Sequence, residues 1–275
     1  LEIEVGTYLV SPIFGRPTLN HAYAVRDAGG SVWAVLFNGL DLGWRSEIAR
    51  QANLPEVTSL FIADRNGRIL AGTGHFLHGP TIRTSRDFGA TWEPVERDPR
   101  FAEDSAAKVK HIWQIVPGHP SQPGTWYAGV DDAALFVSRD DGRTWSELTG
   151  LTSHPTRPRW VPGFGGLCLH SVLVDPADPR RLWVGISAVG VLRSDDAGET
   201  WKLCNEGLHN VAPAFIPDPD MGRCVHKMVL DPARPGVLVM QFHGGVFKSD
   251  DAGDSWTRIS IGLPHDFGFP LAATH

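Results

Sequence analysis

Short runs rich in β-branched and aromatic residues recur along the chain, each closed by a turn signal. His170-Ser-Val-Leu-Val-Asp-Pro176 and His226-Lys-Met-Val-Leu-Asp-Pro232 match position by position, and His111-Ile-Trp-Gln-Ile-Val-Pro117 and Thr58-Ser-Leu-Phe-Ile-Ala-Asp64 fit the same frame. Runs of this kind predict strands. A second strand is predicted after each, over 69–72, 126–130, 182–186 and 237–241. A third, shorter one then runs into a turn. No helical period of useful length interrupts the series.

The turns repeat as well. Ser85-Arg-Asp-Phe-Gly-Ala-Thr-Trp92, Ser138-Arg-Asp-Asp-Gly-Arg-Thr-Trp145, Ser194-Asp-Asp-Ala-Gly-Glu-Thr-Trp201 and Ser249-Asp-Asp-Ala-Gly-Asp-Ser-Trp256 share the pattern S-x-D-x-G-x-[ST]-W, with their tryptophans 53, 56 and 55 residues apart. Ser and Asp bond the backbone N–H groups of their own turn, the glycine accepts a positive φ, and the tryptophan buries a large face against a neighbouring unit. Each unit of about 55 residues therefore holds four strands in a meander, the signature of an all-β propeller of four-stranded antiparallel blades. A sandwich of irregular hairpins gives no reason for repetition in phase. His21-Ala-Tyr-Ala-Val-Arg-Asp27 reads as the start of an earlier unit whose boxed turn has decayed, and another unit begins near Pro270.

About five blades are thus expected, in a single domain over 1–275. Seven such blades would need roughly 385 residues, so an open part of a larger ring, truncated at one or both ends, is the expectation. The chain begins at Leu1 without an initiator Met, shows no charged and apolar leader pattern, and stops at His275 in a strand predicted over 269–274.

Composition narrows the function. The net charge of −6 argues against a phosphate-tracking nucleic-acid binder. No stretch approaches the roughly 20 apolar residues of a membrane helix. Three cysteines, Cys168, Cys204 and Cys224, make no disulfide framework and fit a reducing, cytoplasmic compartment. The 30 glycines and 21 prolines agree with turn-rich β structure.

The boxed turn resembles the Asp-box, or BNR repeat, over about residues 58–275. The chain is similar to bacterial sialidase-like "glycosyl hydrolase" repeat propellers and, more distantly, to sortilin-type and xyloglucanase-type propellers. The run His154-Pro-Thr-Arg-Pro-Arg-Trp160 followed by Gly165-Gly-Leu-Cys-Leu-His170 resembles a bacterial subgroup labelled exo-α-sialidase. The resemblance implies a glycosidase-like hydrolase, or a lyase, although propellers of this type also serve as photosystem assembly factors and receptor ectodomains. A sialidase of this resemblance would carry a Phe/Tyr-Arg-Ile-Pro motif, three arginines for the substrate carboxylate and a tyrosine nucleophile. The sequence has no such motif, and its tyrosines are Tyr8, Tyr23 and Tyr127. A two-carboxylate glycosidase remains open.

Strand order places the candidate site. In a four-stranded meander the first and third turns share one face, which puts the Asp-Pro turns and the boxes together as structural turns. The other face collects the second turns and the links between blades. It is expected to hold His75, His78, Asp131, Asp132 and His243, and the link ends His111, His170 and His226, with His21 as a fourth equivalent. Two long links add His154, Arg157, Arg159 and Trp160, and His209, Asp218, Asp220 and Arg223. Long loops on one face of a rigid scaffold are where binding resides.

His170, His226 and Asp131 are the candidate catalytic groups, since imidazole suits proton transfer near neutral pH. Arg157, Arg159, Trp160, His75, His78 and His243 are candidates for holding a small anionic or sugar-like ligand, or a protein or peptide at the propeller mouth. Arginine forks take carboxylates and Trp stacks on sugars. His111, His170 and His226 could instead bind a divalent transition metal. The plainer alternative is hydrogen bonding between blades by a residue that the repeat multiplies. Cys168 and Cys224 read as small buried residues first and metal ligands second. Gly163-Phe-Gly-Gly166 precedes a strand and fails as a dinucleotide loop.

Overall fold

The computed structural model describes the backbone of residues 7–10, 17–26, 32–41 and 57–62, then residues 69–74, 79–87, 91–163, 165–263, 265–269 and 271, with side chains from 69 onward except 73 and 74. Four antiparallel sheets of four strands follow one another. The first is β4 (Val57–Ile62), β5 (Ile69–Gly74), β6 (Thr81–Ser85) and β7 (Glu93–Pro94). The second is β8 (His111–Pro117), β9 (Trp126–Asp131), β10 (Ala134–Ser138) and β11 (Ser146–Glu147). The third is β12 (Leu169–Val174), β13 (Leu182–Ile186), β14 (Gly190–Ser194) and β15 (Lys202–Leu203). The fourth is β16 (Val225–Leu230), β17 (Leu238–Phe242), β18 (Gly245–Ser249) and β19 (Thr257–Arg258). In every sheet the strands lie in chain order, as the meander requires.

A three-stranded sheet, β1 (Thr7–Val10), β2 (Pro17–Arg26) and β3 (Val32–Asp41), precedes them. His21 falls in the middle of its central strand, opposite Asn38. It therefore does not open a first strand as His111 does, and the expected equivalence fails because β1 already occupies that place. The strand predicted over 269–274 is also absent from its described residues, Phe269 and Leu271.

Consecutive sheets pack face to face, and the first strand of each lies beside the first strand of the next: β4 by β8, β8 by β12, β12 by β16. This is the arrangement of inner strands around a propeller axis. The core lies between blades. Leu70, Ala128, Phe136 and Trp145 form one buried cluster, Leu135, Leu169, Val184 and Trp201 the next, and Trp183, Met228, Leu238 and Trp256 a third. The box tryptophans thus seal each blade against the one before it. The Trp183 indole N–H also donates to the Ala252 carbonyl of the following box at 2.8 Å.

The boxes are closed hydrogen-bond systems. In the second, Ser138 Oγ donates to Asp140 at 2.8 Å and accepts from the Gly142 N–H at 2.9 Å, while Asp140 accepts from the Thr144 N–H at 2.9 Å and Thr144 Oγ1 at 2.7 Å. Gly142 sits at φ 82, where a side chain is strained. The same Ser–Asp–Thr/Ser bonds recur around Asp87, Asp196 and Asp251. Against the opposing effect of burial, the hydrogen bonds from Thr144 and Ser138 hold Asp140 at about 2. Asp140→Ala is expected to cost about 1–3 kcal/mol of folding stability, because three donors of the turn lose their acceptor; urea denaturation checks it.

The Asp-Pro turns are likewise self-satisfied, with Asp175 and Asp231 accepting from the N–H groups of Ala177 and Ala233. The helical pieces among the described residues are α1 (Thr149–Thr152) and a 3-10 turn at Arg157–Arg159. No described helix is long and apolar enough to cross a membrane.

Candidate binding and active site

The strands of each blade alternate in direction, so the starts of β8, β12 and β16 and the turns after β9, β13 and β17 all meet on one face. Three consecutive blades enclose a cavity there of about 460 Å³, lined among others by Trp113, His170, His226, His243, Phe267 and Phe269. Gly165, Cys168, Ser187 and Cys224 complete its wall. Two of the candidate catalytic histidines and one candidate binding histidine therefore share one chamber.

Aromatic rings dominate it. His226 stacks on Phe269 with centroids 4.4 Å apart and planes 15° apart, and meets His243 edge-on at 5.3 Å. Phe267 packs at 5.3 Å from His226 and 5.0 Å from His243. Trp113 lies 6.0 Å from His170 on one side and 5.7 Å from His111 on the other. Trp113, Phe267 and Phe269 keep 37, 54 and 62% of their surface exposed, so flat apolar faces stand open at the mouth.

The imidazoles differ in state. Burial, reinforced by the nearby His226 and Lys227, lowers His170 to about 4. It is neutral at pH 7, and its Nδ1 is buried without a partner. Burial also lowers His226. Its Nδ1 lies 2.6 Å from the Gly268 carbonyl, an acceptor that requires the proton on Nδ1 and leaves Nε2 with its lone pair. His111 is separate from this group. It is exposed and outside the cavity lining, with Nδ1 3.8 Å from Asp131.

Asp131 is buried behind the wall segment 165–168. A side-chain carbon on Gly166 would come 2.4 Å from its Oδ2, so the close approach depends on that glycine. Its Oδ1 has no hydrogen-bond partner. Burial pushes the Asp131 carboxyl above its usual range, against the pull of Lys110. Burial acts on Asp132 in the same sense, but the hydrogen bond and charge of Lys110 hold that carboxyl low. Among the described residues Asp131 is the one buried carboxyl group on this face.

The three candidates of the first long link do not line the cavity. Arg157 donates to the Ala133 and Asp132 carbonyls at 2.7 and 2.9 Å and stacks over Trp160 at 4.8 Å. Arg159 forks onto Asp218 and reaches Asp220, 2.7–2.8 Å in each bond, tying the two long links together. Trp160 is buried, with its N–H on Thr156. These contacts are the work of pinning a link. His75 and His78 lie outside the described residues. Cys168 is buried, its thiol pushed to about 12 by burial first and Asp131 second, which leaves it inert.

Metal-capable donors do gather, in a different trio from the one the repeat pointed to. Among the described residues, Cys224, His226 and His243 place one ligand atom each within 4.8 Å of one another. The expected equivalence of His111 with His170 and His226 fails, because the bulge that carries His170 in β12 and His226 in β16 carries Trp113 in β8.

Sequence reasoning passed over Trp113, Phe267 and Phe269. Trp113 falls at the β-bulge of β8, the place of His170 in β12 and His226 in β16, and alternation along the strand does not announce a bulged residue. A second cavity of about 470 Å³, walled by Val161, Pro162, Val211, Phe215 and Ile216, meets the first at Cys224 and His243.

No family model matches the chain. A sialidase of Bacteroides fragilis is 25% identical over 217 residues, covering 64% of this chain and 37% of the relative. An oligoxyloglucan-reducing end-specific xyloglucanase of Emericella nidulans is 22% identical over 303 residues, covering 98% of this chain and 34% of the relative. The chain thus spans about a third of the length of these relatives. In fold it is similar to the GH74 enzyme of Niastella koreensis, with a TM-score of 0.53 at 18% identity, over 94% of this chain and 37% of that one. Together with the four-stranded sheets and their inner strands, these likenesses show a β-propeller similar to those of sialidases and GH74 xyloglucanases.

Proposed function

We propose that this propeller, taken as one domain over 1–275, recognises a carbohydrate in the cavity between its second, third and fourth four-stranded blades, and that it is a glycosidase-like hydrolase. The observation that carries the reading is the chamber itself: open faces of Trp113, Phe267 and Phe269 beside the imidazoles of His170, His226 and His243. Sugar rings offer apolar faces for stacking and hydroxyls for a few fixed polar groups. The sialidase and xyloglucanase relatives support the same substrate class. Asp131, whose carboxyl is raised by burial, is the group the reading assigns to proton donation.

A second reading is recognition without turnover. The enclosure of Asp131 behind Gly166 favours it, because an acid that never reaches the glycosidic oxygen cleaves nothing.

Titration calorimetry and reducing-end release with xyloglucan oligosaccharides and sialosides test both. We expect saturable binding of one class, weakened roughly tenfold in Trp113→Ala by loss of the stacking face. Asp131→Asn is expected to abolish release while sparing binding. Release that persists in Asp131→Asn would overturn its role, and binding without release in the wild type selects the second reading. No binding of either class, or none lost in Trp113→Ala, contradicts the proposal.

A further inference from the structure

We infer that Cys224, His226 and His243 form a binding site for a divalent transition metal of the zinc class, with its remaining coordination positions open to the cavity. This goes beyond saccharide recognition and stands independently of it.

The donor set is one thiol and two imidazoles, which suits zinc and cobalt and disfavours magnesium or calcium. The donors come from one blade and its entry. Cys224 immediately precedes β16 and His226 sits at its β-bulge, and His243 sits in the turn after β17. His243 donates its backbone N–H to the Cys224 carbonyl at 2.9 Å, so the two segments are held together before any ion arrives.

His226 is prepared as a ligand. Its Nδ1 proton is committed to the Gly268 carbonyl, and Phe269 holds the ring flat by stacking. Metal-bound histidines are oriented by the same kind of second contact. Cys224 Sγ lies 3.1 Å from Ser187 Oγ, a hydroxyl able to donate to a thiolate. Phe267 closes over both imidazoles and thins the water around the site.

Separation is the remaining requirement. The three ligand atoms lie within 4.8 Å of one another. Ligands of one tetrahedral zinc stand roughly 3.3–3.8 Å apart, given bonds of about 2.0–2.3 Å. Capture then draws them inward by about one ångström, which rotation of the exposed His243 ring supplies. Three protein ligands with an open fourth position is the pattern of a zinc that binds or polarises a ligand rather than a closed structural site.

The test is cobalt(II) titration of the full chain, purified without a polyhistidine tag and stripped of metal. We expect one equivalent to bind, with the visible bands of tetrahedral cobalt and a near-ultraviolet thiolate-to-cobalt band, and zinc to displace it. Cys224→Ser should lose the thiolate band. His243→Ala, at an exposed position, should fold normally and weaken binding at least roughly tenfold. Zinc should raise the thermal midpoint of the wild type and leave that of either variant unmoved. A thiolate band that survives in Cys224→Ser would overturn the assignment. So would octahedral cobalt without a thiolate band, or unchanged affinity in His243→Ala.

Discussion

Gly129→Val is expected to destabilise the chain by about 3 kcal/mol, the upper range of overpacking costs. The middle strand of one blade must let the inner strand of the next lie directly against its backbone. A carbon added at Gly129 would meet the Leu169 carbonyl oxygen at 2.4 Å, at Gly185 the Val225 side chain at 2.7 Å, and at Gly72 the Ile112 side chain at 2.9 Å. These three glycines hold equivalent places in β9, β13 and β5. Gly129 is the most sensitive, because its nearest neighbour is backbone, which has no rotamer by which to yield. Gly165→Ala serves as the control, since nothing lies within 4 Å of the added carbon. Urea denaturation of the three proteins decides the matter. Equal stability of Gly129→Val and wild type would refute close packing between the second and third four-stranded blades.

The second large effect is acid sensitivity. His170 is held at about 4 in the folded chain against an ordinary value of 6.5, chiefly by burial. Below pH 6.5 the unfolded chain takes up a proton that the folded chain refuses until near pH 4. Stability therefore declines as pH falls through that window, by about 3 kcal/mol when complete. Metal-free His170→Gln should lose this component, so its stability at pH 4.5 should fall less from its own pH 7 value than the wild type's. The box aspartates act in a lower window. Asp140 is held at about 2 from an ordinary 3.8, so its contribution is present above pH 3.8 and fades towards pH 2. Parallel wild-type and His170→Gln curves from pH 7 to 4.5 would contradict the buried, neutral state of His170.

The blades were legible in the sequence because each solves the same turn problem with the same residues. Ser138, Asp140, Gly142 and Thr144 state the geometry of their turn locally, and the copies at 194–200 and 249–255 fix the phase. The rim histidines were legible for the same reason, since His170 and His226 share a place in the repeat. What the repeat does not encode was harder to see. Phe267 and Phe269 lie in a segment outside any strand and reach the cavity through tertiary packing alone. Arg159 finds Asp218 and Asp220 about sixty residues away, a pairing that no local pattern announces. His21 carried the right residue type, but β1 ahead of it shifts its strand to the centre of its sheet. The metal-capable trio is half legible: Cys224 and His226 flank a repeated strand start, while His243 joins them only once β16 and β17 pair.

The central claim is that the aromatic chamber between the second, third and fourth four-stranded blades is where a saccharide binds. A crystal structure of the chain soaked with its tightest-binding oligosaccharide tests this most directly. A sugar ring is expected against Trp113 or Phe269, with its hydroxyls towards the imidazoles that line the chamber. A sugar seated on the face of the boxed turns, with the chamber empty, would contradict it.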